Sequence, residues 1–463
     1  MSRPEPRFPD LGRLLVLIVV GMRPRDLAQA PYLSKLAGEG RTGPLQPVLP
    51  AVTCPVQASI LTGRMPNEHG IVGNGWYFRD LAEVMFWRQS KHLVQSPEIY
   101  DLAQAEDPAY KAAKLFWWYN MYSGVAHSVT PRPQYFANGL KKFGIYSEPP
   151  ALERELVERF GEFPFFSFWG PAAGLPSSDW IAKASAHVIE SQEPNLALVY
   201  LPHLDYDHQR HGPDDPRSRQ AVTDVDAVAG PLIEQARSQG YEVLVCSEYG
   251  IDHVDRPVFV NRALRQAGLL AIRGTAHGEL MDCGASTAFG VVDHQLAHVY
   301  VRRESDLARV RSCLEGVEGV ARVLDREAQR EFAIDHERSG EFVVLSEPGC
   351  WFAYPYWLEE SLRPDFATTV DIHRKPGYDP AELFVDPAIR FPKLRMARRL
   401  LQKKLGFRYL MDVIPTDPSM VRGSHGLLPR DPELGPLYIA TPGLELPAHP
   451  GVHELLYRHE ASC

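Results

Sequence analysis

The chain lacks an excess of positive charge, closely spaced cysteine pairs, internal repeats, and any apolar run long enough to cross a bilayer. Its 49 Lys and Arg against 58 Asp and Glu give a formal net charge of −9. That argues against a protein that grips a nucleic-acid polymer, which takes a basic face. It leaves room for a small anionic substrate, because local field outweighs net charge. The six cysteines, Cys54, Cys246, Cys283, Cys313, Cys350 and Cys463, are scattered with no C-x-x-C pair, which speaks against a zinc ribbon or a disulfide framework. The apolar run Leu14–Val20 is seven residues long, against ~20 for a membrane span. Gly21-Met22-Arg23-Pro24 follows it with no small-residue cleavage pattern. It reads as a buried first strand, and the chain as a cytoplasmic protein with neither a membrane nor a nucleic-acid polymer as partner.

What is present is ordinary globular composition, 44% hydrophobic and 23% charged over 463 residues. Strand-like runs at Leu14–Val20, Ala112–Trp118, Leu196–Leu201 and Glu242–Cys246 alternate with helical patterns at Pro31–Gly40, Ser178–Gln192, Asp215–Gly240 and Pro257–Gly268. Alternation of this kind predicts an α/β fold, a mainly parallel sheet between helical layers, with reacting groups at the carboxyl ends of the strands. From about Arg273 to Trp357 the pattern turns to β-α-β content, which predicts a small inserted α+β cap at 273–357 on a core formed by 1–272 and 358–463. Ser361–Val421, rich in Pro, Arg and aromatic residues, reads as irregular.

The densest chemical signal is Leu49-Pro50-Ala51-Val52-Thr53-Cys54-Pro55, followed by Leu61-Thr62-Gly63 and by His69-Gly70-Ile71-Val72-Gly73-Asn74. Thr53 stands where a helix begins, with Pro55 in the first turn. A hydroxyl there meets the positive end of the helix dipole and free N–H groups, which suits attack on an anionic phosphoryl or sulfuryl group. Taken alone, a Thr at a helix start is usually just an N-cap. Asp293-His294-Gln295-Leu296-Ala297-His298 sets two His on one side of a strand, more readily as polar residues lining a cap interface than as ligands of a metal site. Arg374 or Lys375, in the charged turn His373–Asp379, could supply positive charge to a phosphate, or could be solvated.

Together these segments resemble the nucleotide pyrophosphatase/phosphodiesterase family of the alkaline phosphatase superfamily. The pattern P-x-x-T-x-P, L-T-G-x-x-P and H-G-I-V-G-N is similar to the family's nucleophile segment. Asp205–Pro213 resembles its D-x-x-x-H-x-x-G-P, Ser247-Glu248-Tyr249-Gly250 its S-D-H-G, and Gly423-Ser424-His425-Gly426 its G-S-H-G. The resemblance implies a hydrolase of phosphodiesters, pyrophosphates or related esters acting through a phospho-threonine on Thr53, with Asn74 on a phosphoryl oxygen. It also implies divalent metal, zinc, manganese or magnesium, one or two ions, and a small phosphorylated substrate. Asp205 and His425 match the family's metal ligands outright; Glu248 and His208 are further candidates, and Tyr206, Tyr249 and Lys375 are candidates for substrate binding. Four positions depart: Val20 replaces the first-strand Asp, Gln209 a His, and Glu248-Tyr249 an Asp-His pair. These departures motivate an alternative, a metal-depleted binding protein on the same fold.

Overall fold

The computed structural model describes residues 5–7, 12–138 and 140–458. Along the chain, β1 (Leu14–Val19) and helix α1 (Pro31–Glu39) are followed by β2 (Arg41–Pro44) and helix α2 (Thr53–Thr62). Next come β3 (Ala112–Leu115), β4 (His127–Pro131), β5 (Ile145–Glu148), α3 (Leu175–Gln192), β6 (Leu196–Leu201), α4 (His203–His211), α5 (Pro216–Ser238) and β7 (Glu242–Cys246). Strands β8 (Ala288–Asp293), β9 (Leu296–Val301), β10 (Val320–Leu324) and β11 (Phe342–Ser346) build a second sheet, after which come α6 (Pro392–Lys404) and β12 (Leu437–Ala440).

The main sheet has eight strands in the order β5-β4-β3-β6-β1-β7-β12-β2. The five inner strands from β4 to β7 run parallel, while β5 at one edge and β12 near the other run against them, and β2, pairing antiparallel with β12, returns to the common direction. Every residue of β1 and β6 is buried, as expected of parallel strands covered on both faces. Helices hold to this sheet by apolar packing, reinforced at one point by Asp226 of α5. Its carboxylate accepts the Tyr32 and Leu33 N–H groups at 2.9 Å each, capping the N-terminus of α1.

The second sheet, in the order β8-β9-β11-β10, is antiparallel throughout. Its apolar cluster draws on residues from Val258 to Tyr378 as well as its own strands, a wider span than 273–357. Asp293 closes β8 and His294-Gln295 form the hairpin turn into β9. That turn is brought to the main sheet by the segment around His425: the Gln295 N–H donates to the His425 carbonyl at 2.9 Å, and the Ala51 N–H to the Gly426 carbonyl at 3.1 Å. Gly423 is required here, since a Cβ would lie 2.2 Å from the His208 carbonyl oxygen of α4. The expectation of an irregular Ser361–Val421 misses α6. That helix is flanked by Pro392 and Gly406 signals, but it turns no apolar side inward and so lacks the pattern of a core-facing helix.

Candidate active site

The loop after β2 delivers Thr53 as the first residue of α2, a helix whose ten residues are all buried. Apolar surroundings fix the helix, and its open N-terminus faces the carboxyl ends of β1, β6 and β7. Thr53 is 4% exposed. One residue on, the Cys54 N–H donates to Asn74 Oδ1 at 3.0 Å. Asn74 in turn gives its backbone N–H to Asp293 Oδ2 at 2.8 Å and its Nδ2 to Asp293 Oδ1 at 3.1 Å. Burial pushes the Asp293 carboxyl up to about 7, the two Asn74 donors pulling the other way. An amide carries two N–H donors, so Asn74 is clamped between α2 and the second sheet with one side-chain N–H to spare.

After β7 the chain presents Glu248 and Tyr249. The Tyr249 hydroxyl and Thr53 Oγ1 form a hydrogen bond of 3.1 Å. Burial raises the Tyr249 phenol well above its ordinary value, with the Asp205 and Glu248 carboxylates adding to the effect, so it stays a neutral O–H. Glu248 Oε1 accepts from Gln57 Nε2 at 2.7 Å, and Gln57 Oε1 accepts from the Trp118 N–H at 2.8 Å. Burial raises the Glu248 carboxyl too. Val20, at the end of β1, is fully buried.

The third part comes from α4 and the returning chain. Asp205 and Gln209 are one helical turn apart and share a face. His425 Nδ1 lies 2.8 Å from the Ala51 carbonyl, which makes Nδ1 the protonated nitrogen and leaves a lone pair on Nε2. That Nε2 stands 3.7 Å from Asp205 Oδ1, and neither atom has a hydrogen-bond partner. Burial pushes the Asp205 carboxyl up to about 7 and the His425 imidazole down to about 3. The rings of Tyr249, His425, His294 and Tyr378 form a continuous stack with centroids 3.5, 3.7 and 3.8 Å apart. The Tyr378 hydroxyl donates to Gln209 Oε1 at 2.9 Å.

Two places for a divalent cation follow, and they differ. On the Thr53 side stand a neutral phenol and Glu248, whose Oε1 is held by Gln57 while its Oε2 has no hydrogen-bond partner, and the end of β1 offers only the apolar Val20; one open carboxyl oxygen is a poor donor set for a cation. Between α4 and His425, the partnerless Asp205 Oδ1 and the Nε2 lone pair fit one ion, and the Ala51 carbonyl on Nδ1 orients the ring as a ligating imidazole needs. Among the described residues no cluster of three or more His, Cys, Asp or Glu is arranged to hold a metal.

Of the expected site residues, the structure brings together Thr53, Asn74, Asp205, Glu248, Tyr249 and His425. It places three others apart. His208 Nδ1 lies beside Gly21, and the charged groups acting on it are Asp26, Arg23, Asp207 and His203; one residue before Gln209 on a helix means a rotation of about 100°. Tyr206 packs with Ala173 and Leu383. Lys375 is buried with its Nζ 2.6 Å from Asp379 and 2.7 Å from Glu382. His298 is tied to the Val72 carbonyl at 2.9 Å and to the Gly340 N–H at 3.2 Å, away from His294. Gln57, Asp293 and Tyr378 were not singled out. Gln57 carried a signal, standing one turn after Thr53 on α2.

A mainly parallel sheet with a threonine hydroxyl at a helix start, near carboxylate and imidazole from distant segments, fits one class: a fold of the alkaline phosphatase superfamily. The family model for type I phosphodiesterase/nucleotide pyrophosphatase matches residues 14–379. The chain therefore belongs to the type I phosphodiesterase/nucleotide pyrophosphatase family, a family of hydrolases. An uncharacterized pyrophosphatase/phosphodiesterase of Schizosaccharomyces pombe is 25% identical over 245 residues, 52% of this chain and 43% of that protein. The matched chain thus spans less than half the length of that relative. Among solved structures, murine ectonucleotide pyrophosphatase/phosphodiesterase 5 is similar over 96% of this chain and 93% of its own, with 13% identity and a TM-score of 0.57. An inactive form of it in complex with AMP gives 13%, 96%, 92% and 0.56. Phosphonoacetate hydrolase from Sinorhizobium meliloti 1021, in complex with phosphonoformate, is 15% identical over 98% of both chains, with a TM-score of 0.59.

Proposed function

We propose that this chain hydrolyses the phosphodiester or pyrophosphate bond of a small phosphorylated molecule in two steps. Thr53 Oγ1 attacks phosphorus as the bond to the alcohol or phosphate leaving group breaks and that group departs with a proton. Water then cleaves the phospho-threonine, releasing the phosphoryl product and restoring the Thr53 hydroxyl. The observation that carries the reading is the Thr53 hydroxyl at the mouth of α2, with Asn74 clamped beside it and Tyr249 bonded to it. Tyr249 holds the Thr53 side chain in one rotamer. The spare N–H of Asn74 and the α2 dipole stabilise charge developing on the phosphoryl oxygens. The neutral Tyr249 O–H can donate to a phosphoryl oxygen once Thr53 has bonded to phosphorus. A divalent cation, zinc, manganese or magnesium, held by Asp205 and His425 would add Lewis-acid polarisation of the ester. The inserted segment 273–357 serves as a cap whose hairpin turn supplies Asp293 and His294. AMP and phosphonoformate bound to the relatives support a small phosphorylated substrate. The free thiols of Cys54, Cys246, Cys283, Cys313 and Cys350 support a reducing, cytoplasmic location.

The test is turnover of p-nitrophenyl phosphodiesters by the wild type and Thr53→Ala, with each metal in turn. Loss of turnover in T53A, with the fold intact by circular dichroism, is expected; equal turnover refutes the reading. A second reading, a binding protein without catalysis, draws on Val20 and Tyr249. It predicts no turnover by either protein and tight retention of a phosphorylated ligand by both.

A further inference from the structure

The segment 387–411 carries eight Arg and Lys and no Asp or Glu, in a chain whose net charge is −9. At its centre, α6 is built the wrong way round for a helix packed on a protein. Arg395 and Arg399 turn inward and share Asp412, the Arg399 Nε at 2.9 Å from Oδ1. Leu394, Leu401 and Leu405, at i, i+7 and i+11 on one face, turn outward and are 55–68% exposed. No residue of α6 is buried. Phe391 before it and Phe407 after it extend the apolar stripe and are equally open. Arg398, four residues after Leu394, stands within the same face between Leu394 and Leu401, Lys404 stands at its margin, and both are exposed.

We propose that α6 docks this protein on an anionic membrane surface, lying flat with the Leu394–Leu401–Leu405 stripe in the headgroup and acyl boundary. A basic helix with an exposed leucine face is the architecture of interfacial binding, and Arg398 within that face and Lys404 at its margin can reach to the headgroups and meet the negative potential of an anionic leaflet. At ~1.5 Å per residue the helix is too short to cross a bilayer, and no helix among the described residues is long and apolar enough to do so. The expectation of no membrane partner rested on the missing span, which surface binding does not need. A second copy is the poorer occupant, because stripe-to-stripe contact would bring two strongly basic segments together. The inference is independent of the proposed catalytic reading, and its readout is binding alone.

The experiment is flotation of the full chain with vesicles of phosphatidylcholine alone and of phosphatidylcholine mixed with phosphatidylglycerol. The wild type should float with the mixed vesicles and not with the neutral ones. Leu394→Glu with Leu401→Glu should lower partitioning by at least about tenfold, and Arg398→Glu with Lys404→Glu should lower it and weaken its salt dependence. All four positions are exposed, so the variants keep the fold, checked by thermal melts. Wild type that stays unbound to mixed vesicles overturns the proposal. So does binding that survives L394E/L401E, which would mark a purely electrostatic polyanion contact, and so does an oligomer in sedimentation equilibrium that those substitutions dissolve.

Discussion

Asp293→Asn changes one oxygen for an amide nitrogen and should disable Asn74 without touching it. The carboxylate of Asp293 receives two N–H groups of Asn74, at 2.8 and 3.1 Å, in a fully buried setting. An asparagine there has one acceptor oxygen, so one hydrogen bond is lost and an N–H is set against an N–H. Hydrogen bonds to a charged acceptor contribute ~1.5–3 kcal/mol, and an unsatisfied buried donor costs ~1–3 kcal/mol. Relief from burying a carboxylate offsets part of this, which leaves a net loss of about 3 kcal/mol in urea unfolding. In turnover, Asn74 released from its clamp no longer aims its spare N–H. Removing a donor of this kind costs ~10²–10³ in kcat, so D293N should lose up to ~10² in kcat with KM little moved. The decisive assay is the cycle with Asn74→Ala. If Asp293 acts through Asn74, D293N in the N74A background should change kcat by less than about threefold. Additive losses in the double variant, or D293N with wild-type kcat, would refute the positioning argument.

Two further outcomes are expected. Elemental analysis after incubation with zinc, manganese or magnesium should find at most one ion per chain, lost in D205N and in H425A and kept in Glu248→Gln; two ions per chain would overturn the assignment of donor sets. His298, buried and bonded through both ring nitrogens, has its imidazole lowered by burial from 6.5 to about 4. The stability gained from the neutral form is full above pH 6.5 and lost as pH falls through about 4, so the gap between wild type and His298→Gln should narrow by about 3 kcal/mol over that window. A gap constant with pH would refute it.

The inner strands were legible in the sequence because burial on both faces leaves an apolar run with nothing to imitate it, as in Leu14–Val19 and Leu196–Leu201. The helix start at Thr53 was legible from Pro55 and the C-terminal Gly63. His208 shows the limit of adjacency: in a helix the partner of Asp205 is four residues on, at Gln209, and the neighbour faces elsewhere. The stack of Tyr249, His425, His294 and Tyr378 joins segments that only the tertiary fold brings side by side, and Asp293 meets Asn74 from another sheet 219 residues away. Helix α6 escaped notice because periodicity finds apolar faces on the assumption that they point inward.

The replacements at Val20 and Tyr249 form one coherent change. A cation between carboxylates screens their mutual repulsion, so a site that loses the cation must otherwise lower that repulsion. Here burial does so at the carboxyl beside Thr53: Glu248 is raised well above its ordinary value, which favours its protonated form in place of a counter-ion. Val20 removes a further carboxylate from the first strand altogether. Tyr249 then fills the vacated direction with a neutral hydroxyl on Thr53 and a ring on His425, keeping the nucleophile oriented by a hydrogen bond. The stabilisation of transition-state charge that one cation would have carried falls to fixed donors of the protein, and these act only as well as they are held. That is why the clamp on Asn74 matters more here than it would beside two ions.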